Sequence, residues 1–140
     1  MADPNMARQD DRDLIVGSVH PKPGAALRVA LAQMNPVVGD VERNTDRVLR
    51  LAALARDELY ADLILFPELV ICGYPPEDLL LHRGMQKQVD DALERIRRGL
   101  DGIAALVGYP EYDGEQIYNS VGLVADGKLT ASYRKQCLPN

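Results

Sequence analysis

The stretch that decides the fold is residues 27–68, LRVALAQMNPVVGDVERNTDRVLRLAALARDELYADLILFPE. Its two ends, LRVALAQM (27–34) and ADLILF (61–66), are apolar almost without a break, which is typical of strands covered on both faces. Between them, apolar residues recur every three or four positions from Val41 to Leu59, behind Asp40 as a helix N-cap. The stretch therefore predicts one strand, helix, strand unit of an α/β fold.

Downstream of this unit the sequence predicts a second helix and a third strand. Apolar residues again recur at helical spacing over residues 80–100, and Gly102 follows as a helix-ending residue. Residues 103–107 are the next apolar run and predict a strand.

The pattern then changes to one that is typical of hairpins. Asp113-Gly114 and Asp126-Gly127 each lie between β-type runs, which is a strong hairpin signal. Residues 116–125 and 128–135 are therefore predicted to be antiparallel neighbours.

These elements predict a mixed sheet of about five strands with both helices on one face. The other face would stay uncovered, although the central strands are too apolar to face water. We interpret the chain as an incomplete domain, or as one that docks its open sheet face on a partner.

Residues 1–26 have a different composition from the rest. They carry several prolines and glycines and the polar run QDDRD, with LIV (14–16) as the main apolar content. This composition predicts a disordered leader over residues 1–26, followed by a domain over residues 27–140.

Composition excludes several classes of function. Sixteen Lys and Arg against 21 Asp and Glu give a net charge of −5, which disfavours nucleic acid and anionic membrane surfaces as partners. No apolar stretch approaches the roughly 20 residues of a membrane span, and the polar, acidic start is unlike a signal peptide. The predicted location is the cytoplasm.

Cysteines and histidines give no sign of a structural framework. Cys72 and Cys137 are far apart in sequence and form no CxxC pair, so neither a disulfide scaffold nor a zinc site is indicated. His20 and His82 have no metal-ligand spacing to each other or to a cysteine. No metal site is predicted.

Chemistry is predicted where two strands end. Glu68 follows a buried strand and a proline, a position at which α/β proteins place ligand and catalytic groups. Lys135 ends a later strand; if the two ends meet, they form a carboxylate and ammonium pair able to share a proton near neutral pH. Cys72 and Cys137 are more often inert thiols in such positions, and no Gly-rich phosphate loop is present. The residues alone thus indicate an acid/base pair whose nucleophilic partner is unknown.

Four blocks of the sequence carry a family resemblance, which extends over residues 27–140. The blocks are LRVALAQMNPVVGDVERNTDRV (27–48), LILFPELVICGYPPEDLL (63–80), VGYPEYDGEQIYNSVGLVADGK (107–128) and YRKQCLPN (133–140). In these blocks the chain resembles the amino-terminal half of a nitrilase-superfamily (carbon-nitrogen hydrolase) domain, and within that superfamily most closely the glutaminase domain of glutamine-dependent NAD synthetases.

The resemblance implies roles for three residues. Glu68 matches the general base of the family, Lys135 the lysine that stabilises the oxyanion, and Tyr74 a tyrosine of the glutamine pocket. The nucleophile of the family is a cysteine one strand further on, beyond residue 140, and Cys137 does not match it. The implied fold is a four-layer αββα sandwich, which would explain the uncovered sheet face.

The implied function is hydrolysis of the glutamine side-chain amide, with the ammonia used to make NAD from nicotinic acid adenine dinucleotide. ATP and magnesium would belong to a separate synthetase domain and not to these residues. The resemblance also implies that the rest of the parent chain is a partner, that the complete enzyme is a homo-oligomer, and that this stretch alone is inactive.

Two alternatives remain open. One is a part of another amidase or carbamoylase of the same superfamily. The other is a non-catalytic module that docks its open sheet face on a partner.

Overall fold

The computed structural model describes residues 6–8, 13–16, 24 and 26–138. The described residues form a seven-stranded mixed sheet in which the strands follow each other in chain order. The three central strands, β3 to β5, are parallel, and the outer strands on both sides are antiparallel. The strands are β1 (Met6–Arg8), β2 (Leu14–Val16), β3 (Val29–Gln33), β4 (Leu63–Leu65), β5 (Ala104–Asp113), β6 (Gln116–Ala125) and β7 (Lys128–Arg134); the helices are α1 (Val41–Leu59) and α2 (Met85–Gly99), with a 3-10 helix at Glu77–Leu81.

The predicted strand, helix, strand unit is confirmed as β3, α1 and β4. The Asp40 side chain accepts a hydrogen bond from the backbone N–H of Arg43, at 3.1 Å, and so caps α1. The helix ends where Tyr60 turns into the left-handed region, with φ 53°. The spacing of apolar residues predicted this helix because the residues that recur at that spacing face the core. Val48 and Leu51, for example, are fully buried.

Both predicted hairpins are also confirmed. β5 pairs with β6 across the turn at Gly114, and β6 pairs with β7 across the turn at Gly127. β5 continues to Asp113, well past the predicted end at residue 107, because its second half pairs with the start of β6. α2 begins at Met85 and not near residue 80, since the preceding residues form the separate 3-10 helix.

The prediction of a disordered leader is wrong at residues 6–8 and 14–16, which form β1 and β2. Ile15 is fully buried in the core, and the buried carboxylate of Asp13 accepts a 2.9 Å hydrogen bond from Nε of Arg47 on α1. Composition did not predict this segment, because the last aspartate of the polar run QDDRD is a buried ion-pair partner and not a solvated side chain. Most other leader residues lie outside the described part, and the domain start at residue 27 stays a prediction.

The two faces of the sheet differ in the way the sequence predicts. Alternate residues such as Ala30, Ile64 and Val124 are buried in one core with α1 and α2. On the opposite face, Leu31 and Tyr133 are 53% and 60% exposed. The described part is thus an α/β layer with one covered and one open face. Neither of its helices combines the length and the hydropathy needed to cross a membrane.

Candidate active site

The structure brings Glu68 and Lys135 together at the open face. Nζ of Lys135 lies 2.8 Å from Oε1 of Glu68, and the two side chains are 43% and 40% exposed. Glu68 follows the carboxyl end of β4, whereas Lys135 directly follows β7. The backbone N–H of Lys135 donates to the carbonyl of Asn119 at 2.8 Å, which extends the pairing of β6 and β7 up to the lysine.

A second donor reaches the same carboxylate oxygen. Nδ2 of Asn119 lies 2.5 Å from Oε1 of Glu68. The hydrogen bond from Lys135 and, next, that from Asn119 lower the pKa of Glu68 against the opposing effect of partial burial. Conversely, the hydrogen bond to Glu68 raises the pKa of Lys135.

These shifts correct one detail of the sequence-based expectation. A carboxyl with a lowered pKa and an ammonium with a raised pKa do not share a proton near neutral pH. Glu68 is therefore an ionised carboxylate and Lys135 a cation at pH 7. The carboxylate can accept a proton, and the cation can stabilise negative charge.

A cavity of about 370 Å³ opens beside the pair. That volume lies within the range of small-molecule sites, roughly 300–1,000 Å³. Its lining joins the charged pair to apolar and small residues: Phe66, Pro67, Glu68, Gly108, Asn119, Ser120, Val121, Tyr133 and Lys135.

The turn after Glu68 packs directly on β5 at Gly108. A Cβ atom on Gly108 would lie 2.5 Å from the backbone nitrogen of Leu69 and 3.0 Å from the carbonyl oxygen of Pro67. Leu69 itself has φ 49°, in the left-handed region that few residues other than glycine adopt. Gly108 is therefore required for the backbone that carries Glu68 to cross β5 this closely.

Asn44 ties the next part of this loop to α1. Its fully buried side chain exchanges two hydrogen bonds of 2.8 Å with the backbone of Val37 and donates to the carbonyl of Ile71 at 3.1 Å. The loop after Glu68 is thus held from β5 on one side and from α1 on the other.

Tyr74 lies at the exposed end of the same loop. Its side chain is 55% exposed, and its phenol contributes to the raised pKa of Lys135 after the larger effect of Glu68. Tyr74 does not line the cavity in the described part of the chain. Its place in a glutamine pocket stays a prediction.

The two cysteines occupy contrasting environments. Cys72 is fully buried, and its burial raises the pKa of the thiol to about 11, which leaves it protonated and unreactive at neutral pH. Cys137 is exposed. Among the described residues, no group of three His, Cys, Asp or Glu side chains could hold a metal ion.

An ion-pair cluster lies on the covered-face side of the β5 to β7 hairpins. Nη2 of Arg134 lies 2.7 Å from Oε1 of Glu111 and 2.9 Å from Oδ2 of Asp113, and the guanidinium stacks on the Tyr118 ring, 3.8 Å from its centroid. Glu111 also accepts a hydrogen bond of 2.7 Å from Ser120. Arg134 and, next, Ser120 lower the pKa of Glu111.

Sequence reasoning found Glu68 and Lys135 but missed Asn119, Gly108 and Asn44. Asn119 gave one usable signal, since it is a polar residue between the apolar Ile117 and Val121 on the same face of the predicted strand. Gly108 and Asn44 gave none, because their importance depends on contacts with segments distant in sequence.

Comparison with known proteins shows the family of the chain. The family model for carbon-nitrogen hydrolases matches residues 28–139. The glutamine-dependent NAD(+) synthetase of Xanthomonas campestris pv. campestris is 49% identical over 114 residues, which cover 81% of this chain and 21% of that protein.

Two solved structures are similar to the chain. The glutamine-dependent NAD+ synthetase from Acinetobacter baumannii, in complex with ADP, has a TM-score of 0.76 at 36% identity over 80% of this chain and 21% of its own. A glutamate-to-leucine mutant of the amidase from Nesterenkonia sp. AN1, with an acetamide moiety added covalently at its active-site cysteine, has a TM-score of 0.74 at 32% identity over 81% of this chain and 44% of its own.

The chain spans about a fifth of the length of these synthetases. The α/β fold of the described residues matches these nitrilase-like neighbours, as the sequence predicts. With the family model matching most of its length, the chain belongs to the carbon-nitrogen hydrolase family.

Proposed function

We propose that this chain is part of an enzyme that hydrolyses the side-chain amide of glutamine and delivers the ammonia to NAD synthesis from nicotinic acid adenine dinucleotide. The observation that carries this proposal is the contact between Glu68 and Lys135, 2.8 Å apart beside the cavity. The similarity to glutamine-dependent NAD(+) synthetases supports glutamine as the substrate and the whole reaction as the one served.

In the proposed reaction, a cysteine beyond residue 140 supplies the nucleophile. Glu68 removes the thiol proton, and the thiolate sulfur attacks the amide carbon of glutamine. The carbon–oxygen double bond opens to an oxyanion, which Lys135 stabilises. When the oxyanion collapses, the carbon–nitrogen bond breaks, the nitrogen takes the proton from Glu68, and ammonia leaves a thioester.

The second half of the reaction repeats these roles with water. Glu68 takes a proton from water as the water oxygen attacks the thioester carbon, and Lys135 again stabilises the oxyanion. Collapse expels the sulfur, which regains the proton from Glu68, and glutamate is released. Glu68 begins the reaction as a carboxylate and Lys135 as a cation, which are the charge states that these roles require.

Other parts of the proposal concern the remainder of the protein. We assign glutamine contacts to Tyr74. We also propose that the isolated chain is inactive, since the nucleophile is supplied from outside it. ATP and magnesium are assigned to a separate synthetase domain, in line with the similarity to NAD(+) synthetases, and no step here depends on them. The complete enzyme is proposed to be a cytoplasmic homo-oligomer.

A second candidate is hydrolysis of another amide. It is favoured by the similarity to the amidase from Nesterenkonia sp. AN1, which matches the fold as well as the synthetase structures do. Rates of hydrolysis of glutamine, acetamide and butyramide by the full-length protein distinguish the two functions. A preference for acetamide or butyramide over glutamine would favour the amidase function.

The third candidate is a non-catalytic module, which the exposed residues of the open sheet face favour. A module of this kind would bind a partner through that face and release no glutamate from glutamine. Any glutaminase activity that depends on Glu68 argues against it.

The test uses the full-length protein with Glu68→Gln and Lys135→Ala. Glutamate release from glutamine is expected to fall by roughly a hundredfold or more, while NAD formation from added ammonia stays near the wild-type rate. Glu115→Gln in a hairpin turn and Lys128→Ala at the start of β7, both on exposed residues, are matched controls that should keep both activities. Loss of both activities in the Glu68 and Lys135 variants would show that these residues are structural and would refute their proposed roles.

A further inference from the structure

Both donors that hold Glu68 contact the same oxygen. Nζ of Lys135 and Nδ2 of Asn119 lie 2.8 Å and 2.5 Å from Oε1. Oε2 makes no hydrogen bond to any of the residues that the structure describes. The two oxygens of one carboxylate are therefore chemically different before a substrate arrives.

We propose that Asn119 is a positioning residue that fixes Glu68 so that Oε2 is the atom that accepts and returns the proton. The inference rests on the proposed function, because it assigns an atom to the proton transfer of that reaction. It adds a third residue to the Glu68 and Lys135 pair, and it specifies which oxygen of the Glu68 carboxylate carries the proton.

Asn119 holds both members of the pair at once. Its side chain donates to the Glu68 carboxylate, and its backbone carbonyl accepts the N–H of Lys135 at 2.8 Å. Because both contacts come from the same residue of β6, one strand position places the Glu68 carboxylate relative to the backbone of Lys135. A loop or a flexible side chain would not fix it as closely.

The amide is suited to this task because it does not titrate. When Oε2 takes the proton from the thiol, Oε1 becomes a carbonyl oxygen that still accepts from Asn119 and Lys135. When Oε2 gives that proton to the leaving nitrogen, the carboxylate is restored with both donors in place. The hydrogen bonds persist through the cycle, and only Oε2 gains and loses a proton.

The charged groups around Glu68 allow a direct test of how residue 119 affects the pKa of that carboxylate. The titratable residues that line the cavity in the described part are Glu68, Lys135 and Tyr133, and the phenol of Tyr74 acts on Lys135 from the neighbouring loop. None of these brings a second carboxylate to Glu68. An aspartate at position 119 would do so within hydrogen-bond distance.

The experiment measures the pH profile of kcat/KM for glutamine hydrolysis in the full-length protein carrying Asn119→Asp or Asn119→Ala. In N119D, repulsion between the carboxylates raises the pKa of Glu68, so the acid limb moves to higher pH. In N119A, loss of one donor moves it in the same direction by a smaller amount. At neutral pH, we expect kcat/KM to fall roughly ten- to a hundredfold, as for loss of a hydrogen bond to a charged group.

Tyr118→Phe is the matched control, since it alters the neighbouring residue on β6 but only the hydroxyl that contacts Gln116. It should keep the wild-type acid limb. NAD formation from added ammonia reports whether each variant is folded.

The outcomes separate this inference from the proposed function. If both Asn119 variants keep the wild-type acid limb while Glu68→Gln is inactive, the positioning role is refuted and the proposed function stands. Lower activity with an unmoved acid limb would show that Asn119 is only structural and would also refute it. Normal glutaminase activity in Glu68→Gln would instead refute the proposed function.

Discussion

Arg134 and Lys135 are adjacent in sequence, yet they lie on opposite faces of the sheet and hold very different ion pairs. Arg134 contacts Glu111 and Asp113 and stacks on the ring of Tyr118. Lys135 makes one ion pair, with Glu68, at the wall of a cavity. The two cations differ in what surrounds them: Arg134 is held by two carboxylates and an aromatic ring, whereas Lys135 keeps donor capacity next to space for a ligand.

The largest expected effect comes from removing each cation in turn. Lys135→Met should lower kcat for glutamine hydrolysis by roughly a hundred- to a thousandfold, the size expected for loss of an oxyanion donor. Arg134→Met should lower thermal stability and leave kcat within a few fold. Glutamate release and melting curves of the full-length variants measure both effects.

Equal losses of kcat in the two variants would break the comparison. That result would mean that the Arg134 cluster, although on the other face, sets the position of Lys135 through β7. Loss of stability without loss of kcat in Arg134→Met would sharpen the distinction.

A smaller effect, on thermal stability, is expected when the carboxylates of Glu111 and Glu68 are removed. Glu111 accepts hydrogen bonds from Arg134 and Ser120 and is less exposed than Glu68. Glu111→Gln should lower the melting temperature by a few degrees, whereas Glu68→Gln should change it very little because exposed ion pairs contribute little to stability. Thermal unfolding followed by circular dichroism at pH 7 compares them, and a larger loss in Glu68→Gln would contradict the assignment.

The same carboxylate predicts a pH dependence of stability. The pKa of Glu111 is lowered in the folded state, chiefly by Arg134. Its contribution is therefore fully present above the unfolded-state value of about 4.3 and is lost as the pH falls through the lower folded-state value. Urea unfolding between pH 7 and pH 3 should show a steeper acid decline in the wild type than in Glu111→Gln; parallel curves would contradict this prediction.

The sequence predicted those features that depend on local patterns. The spacing of apolar residues located α1, and the Asp-Gly pairs located both hairpins. Residues 14–16 were missed because a three-residue apolar run carries no periodicity and because the burial of Ile15 depends on pairing with β3, distant in sequence.

The candidate site followed the same rule. Strand-end positions predicted that Glu68 and Lys135 could meet, but they could not predict Asn119, whose role depends on the register between β6 and β7. Nor could they give the charge states, since the direction of each pKa shift depends on the contacts at Oε1.

The smallest expected effect is that of Cys137→Ser. Cys137 lies two residues beyond Lys135 in the sequence and is exposed, so the chain itself carries an accessible thiol. If the proposed nucleophile instead lies beyond residue 140, this variant should hydrolyse glutamine within about twofold of the wild-type rate, as expected for a surface substitution. Cys72 offers no substitute, because burial raises the pKa of its thiol to about 11. A complete loss of glutamate release in Cys137→Ser, with ammonia-driven synthesis intact, would identify Cys137 as the nucleophile and would place the whole reaction within residues 68–137.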